Sequence, residues 1–266
     1  MNGIVALVRR PAPTLVERCE LTFLERAPID FDAIERQHAA YRDALTTAGA
    51  RTIALDAIAS APDSVFVEDA AVVLDEVAIL ARPGVDSRRR EPALLEAPLS
   101  TQRGRIERID APATLEGGDV LRIADTLYVG LSGRTNRAGL ERLASIARRY
   151  GYATVPVRVD GSLHLKTACI ALDATTVLLN PAWADATAFA EFARIEVADD
   201  EPFAANALPI GETLVANAAF PRTLERVRAH AERAGLRVHA VDISEFGKAE
   251  AGLTCMSLVF AAQAAA

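Results

Sequence analysis

Cysteine is scarce in this chain: three in 266 residues, widely spaced and odd in number. That pattern excludes a disulfide framework and suits a reducing compartment, so a cytoplasmic protein is expected. No apolar run approaches the roughly 18 residues of a membrane-spanning helix, and no membrane partner is expected. Ile4 to Val8 is too short for a signal-peptide core and has no basic residue ahead of it. A basic surplus is missing too, with 29 Lys and Arg against 36 Asp and Glu and a net charge of -7. This balance argues against nucleic acid as a partner and weakly favours cationic small molecules. Neither H-E-x-x-H nor C-x-x-C spacing occurs, so no metal and no cofactor is indicated.

What is present is an ordinary soluble composition, 51% hydrophobic and 24% charged. It is long enough for a proper core and is taken as one domain over 1–266 with a loose tail at 261–266. Ile4-Val5-Ala6-Leu7-Val8 has the pattern of a buried strand, and Arg9 to Glu25, without a clean period, that of a loop or lid. Phe31, Ile34, His38, Tyr41 and Leu45 follow at helical spacing, with Asp32 and Glu35 as a capping pair and Gly49 as the stop. Thr52 to Leu55 is a short strand.

From there one unit recurs: hairpin, helix, strand. Hairpins turn at Asp75-Glu76, Asp125-Thr126, Asp173-Ala174 and Gly211-Glu212. The helices are expected near Glu91 to Leu99, Asn136 to Tyr150, Trp183 to Phe192 and Pro221 to Ala234. The closing strands are expected at Arg105 to Ile109, Thr154 to Val159, Arg194 to Val197 and Arg237 to Asp242. A period of about 40 to 50 residues suggests radial or stacked repeats. If Met256 to Phe260 pairs with Ile4 to Val8, the two ends make a fifth unit and close a ring, leaving no exposed sheet edge. An open α/β sheet with antiparallel pairs fits the alternation equally well, but the closed five-unit ring is preferred.

The residues hardest to assign to packing fall between each unit's last strand and the next hairpin. They lie in 62–69, 112–119, 160–167, 199–206 and 247–255, segments that pseudo-symmetry would bring to one pocket. Taken singly, each has a bland reading. A lone cysteine is mostly a small buried hydrophobe. Cys169 fits the core and Cys19 falls incidentally in the lid. His38, His230 and His239 fit surface or core-edge positions, Arg88 to Arg90 a solvated face, and E-G-G-D a tight turn.

Six motifs lift these odds: P-D-S-V-F-V-E-D (62–69), R-P-G-x-x-S-R-R (82–89), E-G-G-D (116–119), G-R-T-N (133–136), H-L-K-T (164–167) and T-C-M-S (254–257). In this order they resemble the dimethylarginine dimethylaminohydrolase family of the guanidine-modifying (pentein) superfamily, over about Ile4 to Phe260. The resemblance implies a five-bladed α/β propeller of ββαβ units. It also implies hydrolysis of an Nω-methylated arginine to citrulline and a methylamine through a covalent cysteine thiouronium. Cys255 matches the nucleophile, His164 the acid/base and Glu116 the carboxylate supporting the histidine. Asp69 matches the carboxylate that grips the guanidinium, with Asp63 and Glu68 beside it. Arg88 and Arg134 match the arginines that hold the α-carboxylate. The implied partner is a small guanidine amino acid, and the protein is a monomer or a homodimer. The segment Val16 to Phe23 departs from the family's lid and is longer.

Two rivals remain. An arginine deiminase shares the Cys, His and Glu pattern but is usually longer, with a helical insertion absent from these short modules. A non-catalytic five-bladed propeller used as a binding module gives no reason for a cysteine, a histidine and paired carboxylates at matched positions.

Overall fold

The computed structural model describes residues 3–263. Five three-stranded sheets are present, and four follow one path along the chain. A first strand pairs antiparallel with a second, and after a crossover a third joins parallel to the second. Ala71–Val73, Ala78–Leu80 and Ile106–Arg108 make the first sheet. Val120–Ile123, Thr126–Leu131 and Ala153–Arg158 make the second. The third consists of Cys169–Ala171, Thr176–Leu179 and Ala193–Glu196, the fourth of Ala207–Ile210, Thr213–Asn217 and Arg237–Val241.

The fifth sheet is assembled from both ends of the chain. Ser257–Ala261 runs antiparallel to Ile4–Arg9, with Ile4 opposite Ala261 and Val8 opposite Ser257, and Ala50–Leu55 completes it in parallel. The terminal strands therefore pair as the repeat requires. The first strands of all five sheets line one shared cavity of about 250 Å³, so their preceding turns gather at one end of it.

A parallel pair needs a long crossover, and amphipathic helices supply it. Phe31–Thr47 buries Ile34, His38, Tyr41, Ala44 and Leu45, while Arg137–Arg148 buries Leu140, Leu143, Ile146 and Ala147. Pro221–Ala234 begins with its proline in the first turn, where no N–H is missed, and stops at Gly235 with φ 68°.

Local details differ from expectation in five places. The cap of Phe31–Thr47 is Asp30, whose carboxylate accepts from the Ala33 N–H at 3.2 Å, rather than the Asp32 and Glu35 pair. Asp30 holds the extended backbone a cap needs, and Asp32 lies already inside the first turn. In the third unit the expected helix shrinks to the 3-10 turn Ala186–Phe189. There Asn180 and Asp185 accept from the N–H two residues on, at 3.0 Å each, which favours turns over a continuous helix. Leu15–Arg18 is a short helix within the Arg9 to Glu25 loop, and both Leu15 and Cys19 are buried. The last strand includes Ala261, and the Ala262 N–H donates to the Gly3 carbonyl at 2.7 Å; 264–266 of the expected tail lie outside the described residues. His38 also proves buried, its pKa pushed down to about 4 by burial and by nearby Arg42 and Arg10.

Arg103 is 1% exposed and ties the first unit to the last strand. Its guanidinium donates to the carbonyls of Leu74 (2.6 Å), Gln102 (2.8 Å) and Ala261 (2.8 Å) and lies 4.8 Å from the Phe260 ring centroid. Arg103→Met keeps most of the volume but leaves these acceptors without donors, so a loss of about 3 kcal/mol in unfolding free energy is expected by denaturant titration.

Candidate active site

The segments just before the first strands carry the chemistry. Val67–Ala70, Gly117–Asp119 and Thr254–Met256 are single 3-10 turns, and Leu165–Ala168 is one α-turn preceded by His164 in extended conformation. These turns place Glu68 at the shared cavity and Asp69, His164 and Cys255 at a separate, smaller hollow. Glu68 and Asp69, Glu116 and Asp119, His164 and Cys255 are thereby brought together across nearly 190 residues of sequence, and all are buried.

A small cavity of about 20 Å³ is lined by Asp63, Asp69, Arg88, Arg134, His164 and Cys255, with Phe66, Leu163 and the loop residue Glu20. Six of the eight residues selected from sequence thus share one hollow. Glu116 is fully buried behind the imidazole, its Oε2 2.7 Å from His164 Nε2. Glu68 is the exception. It points away from this hollow, lines the larger cavity between the inner strands, and bonds Lys166 Nζ (2.5 Å) and the Thr254 hydroxyl (2.8 Å).

Two carboxylates address the imidazole. Glu116 meets Nε2, and Asp69 Oδ1 lies 3.7 Å from Nδ1. This approach requires Gly118, because a Cβ there would sit 2.7 Å from both Asp69 Oδ1 and the imidazole. Burial opposes a charged ring, but the Asp69 charge, the Glu116 hydrogen bond and the Asp119 charge outweigh it and raise the His164 pKa to about 9. Burial likewise opposes the Glu116 charge, yet His164, Arg88 and Arg134 push its pKa down. The result is a buried imidazolium–carboxylate pair. Asp119 completes the support, accepting from the Leu165 N–H at 2.9 Å and the Ser132 hydroxyl at 2.6 Å. Asp69, Glu116 and His164 also place three ligand-type atoms within 4.8 Å of one another, but both ring nitrogens already face carboxylates.

The Cys255 thiol is pushed well up in pKa by burial and by the Asp69 and Glu68 charges, opposed by the Gly252 N–H and Lys166. Asp63 is raised to about 6, again by burial, against Arg88 and the Glu20 N–H. Arg88 is held between Asp69 and Glu91 at 2.8 Å each, and Arg134 lies 3.3 Å from Glu116. One acceptor stays open: Asp69 Oδ1 is buried with no hydrogen-bond donor.

The loop over the hollow contacts the same groups. The Glu20 N–H reaches both Asp63 carboxylate oxygens at 3.2 Å, Arg134 donates to the Thr22 hydroxyl at 2.9 Å, and Ser87 donates to Glu20 at 2.7 Å. The N–H groups of Thr22, Phe23 and Leu24 converge on the Glu250 carboxylate at 2.5 to 3.0 Å. Sequence reasoning assigned no role to Glu20, Glu91 or Glu250. Asp119 and Lys166 lie inside the motifs E-G-G-D and H-L-K-T, so their types and positions are visible in the sequence.

A family model described as arginine deiminase matches residues 34–226. The chain is 36% identical to N(G),N(G)-dimethylarginine dimethylaminohydrolase of Pseudomonas aeruginosa over 96% of its own length and 98% of the relative's. It is 40% identical to the protein of the same name from Streptomyces coelicolor, over 95% of each. The chain belongs to the dimethylarginine dimethylaminohydrolase family. A solved structure of the P. aeruginosa family member, a cysteine-to-serine variant in complex with citrulline, superposes with a TM-score of 0.91 at 34% identity, covering 98% of this chain and 100% of that one. A histidine-to-glycine variant of a dimethylarginine dimethylaminohydrolase, as its adduct with S-methyl-L-thiocitrulline, gives 0.91 at 35% identity, with the same shares covered. The five-sheet fold is the family's.

The His164 pKa sets a pH signature. Because it is raised from 6.5 to about 9, its stabilising share is complete below about pH 6.5 and is lost as pH climbs through about 9. Glu116→Gln removes the charge but leaves an amide oxygen that can still accept from Nε2, so the imidazole should titrate at least one unit lower, read from the pH dependence of its NMR resonances.

Proposed function

We propose that this protein hydrolyses Nω-methylated L-arginine to L-citrulline and a methylamine, with Cys255 as nucleophile, His164 as acid and base, and Glu116 as the group that keeps His164 charged. The observation that carries this reading is one buried hollow holding a thiol, an imidazole and the open acceptor Asp69 Oδ1. A guanidinium N–H is the donor that acceptor suits, and its bond to Asp69 would bring the guanidinium carbon to the sulfur. Arg88 and Arg134 take the α-carboxylate, with Asp63 beside Asp69 in the same hollow. Glu68 acts from behind, as a negative charge near the thiol.

The chemistry follows from the charges. A guanidinium carbon is a weak electrophile, so thiolate is needed, and an ordinary thiol is only a few per cent ionised at neutral pH. Here burial and two carboxylates suppress ionisation further. A bound cation offsets those charges and favours the thiolate, the thiol proton leaving to solvent, and the thiolate attacks the guanidinium carbon. His164, protonated at neutral pH, gives its proton to the departing amine, leaving a thiouronium on Cys255. The neutral ring then takes one proton from water as that water attacks the same carbon, and the tetrahedral adduct collapses to citrulline, its remaining hydroxyl proton passing to the departing sulfur to restore the Cys255 thiol. The hollow of about 20 Å³ is too small for an arginine side chain as it stands, and displacement of the Glu20 to Leu24 loop, which is tied to Asp63 and Arg134, would enlarge it.

The arginine deiminase family match favours one second reading, hydrolysis of unmethylated arginine. Product analysis on a panel of methylated and free arginines separates the two: dimethylamine from dimethylarginine supports the first, ammonia from arginine the second. Cys255→Ser is expected to lower turnover by at least about 10³-fold while leaving the thermal unfolding midpoint nearly unchanged.

Substrate-assisted ionisation has its own measurement. The alkylation pH profile of Cys255 should shift to lower pH when a non-reactive guanidinium ligand is bound, and coincident profiles would rule the idea out.

A further inference from the structure

The fourth unit supplies no residue to the chemistry described above, yet its equivalent position is filled by a buried polar side chain. Asn206 immediately precedes the first strand of that unit and is 7% exposed. All of its hydrogen-bonding capacity is used, and every partner belongs to a catalytic segment. Its Oδ1 accepts from the N–H groups of Leu253 (2.6 Å) and Thr254 (3.3 Å). Its Nδ2 donates to the Lys166 carbonyl (2.9 Å) and to the Thr254 hydroxyl (3.1 Å), and that hydroxyl in turn donates to Glu68 (2.8 Å). One amide therefore joins the turn that carries Cys255 to the turn that follows His164.

The same side chain backs Gly252. A Cβ at that position would lie 2.6 Å from Asn206 Cγ, so only glycine lets the two pack. The Gly252 N–H is the donor that meets Cys255 Sγ at 3.3 Å. Asn206 thus fixes both the two amides after Gly252 and the surface behind it, and with them the direction of the N–H aimed at sulfur.

We propose that Asn206 is a positioning residue for the thiol, clamping residues 252–256 against the histidine segment so that the Gly252 N–H is held on Cys255 Sγ. The inference rests on the reading of Cys255 as nucleophile. It acts on the reacting sulfur through geometry and touches no substrate, so its loss should appear in kcat rather than in KM. A displaced donor also leaves the thiolate without its one backbone hydrogen bond.

The test uses Asn206→Ala and Gly252→Ala in the full-length protein, both neutral changes, with folding checked by circular dichroism and thermal unfolding. Each folded variant should lose about 10- to 100-fold in kcat with KM within about threefold of the parent. Each should also need a higher pH for half-maximal alkylation of Cys255 by iodoacetamide, by about one unit, which is tenfold in thiolate at a given pH. If Asn206→Ala does not fold, Gly252→Ala carries the same expectations. An unchanged kcat and alkylation profile in a folded variant, or a rise in KM alone, would overturn the proposal. Cys255→Ser separates the two levels. Retained turnover there removes the nucleophile reading and this inference together, whereas a dead Cys255→Ser beside fully active Asn206→Ala and Gly252→Ala removes only the clamp.

Discussion

A protonated imidazole enclosed by carboxylates is the interaction on which the rest of this structure depends. Buried charges cost several kcal/mol each unless paired and hydrogen-bonded throughout. The surroundings of His164 meet that demand almost completely. Glu116 is held by the Gly84 N–H at 3.0 Å and by Arg134 as well as by the ring. Asp119 is satisfied by a backbone N–H and a serine hydroxyl. Arg88 bridges Asp69 and Glu91. The one acceptor of this group left open is Asp69 Oδ1, in the hollow it shares with His164 and Cys255.

The repeat explains how a modest scaffold can carry so dense a set of charges. Sheets of three strands, several only three residues long, offer little stability alone, but their shared inner cavity and cross-unit ties such as Arg103 join them. Polar side chains are placed on one-turn helical segments at the strand entrances, where the backbone is fixed on both sides. The covering loop is a different kind of element. Much of its attachment is to Asp63, Arg134 and Glu250, and the first two are also among the groups proposed to hold substrate.

Much of this was legible from residues alone. The hairpin turns, the helix at Pro221–Ala234 and the pairing of the two ends followed from apolar periodicity and from glycine and proline punctuation. The pocket residues were legible as types at matched unit positions. What escaped was short-range competition and long-range contact. Asp30 displaced Asp32 as a cap because one residue of backbone rotation decides which carboxylate faces the free N–H groups. Asn180 and Asp185 broke the third helix through side-chain bonds to their own backbone. Glu68 turned from the thiol's hollow to Lys166, a partner 98 residues away.

The amino-acid sequence by itself determined the unit, its count and the residue types delivered to each strand entrance, because 2.0- and 3.6-residue periodicities and turn chemistry act over a few neighbours. Only the tertiary structure decided which of those side chains meet. Whether a carboxylate faces an imidazole, a lysine or an arginine depends on ångström-scale packing between segments far apart in the chain. No local pattern encodes that distance.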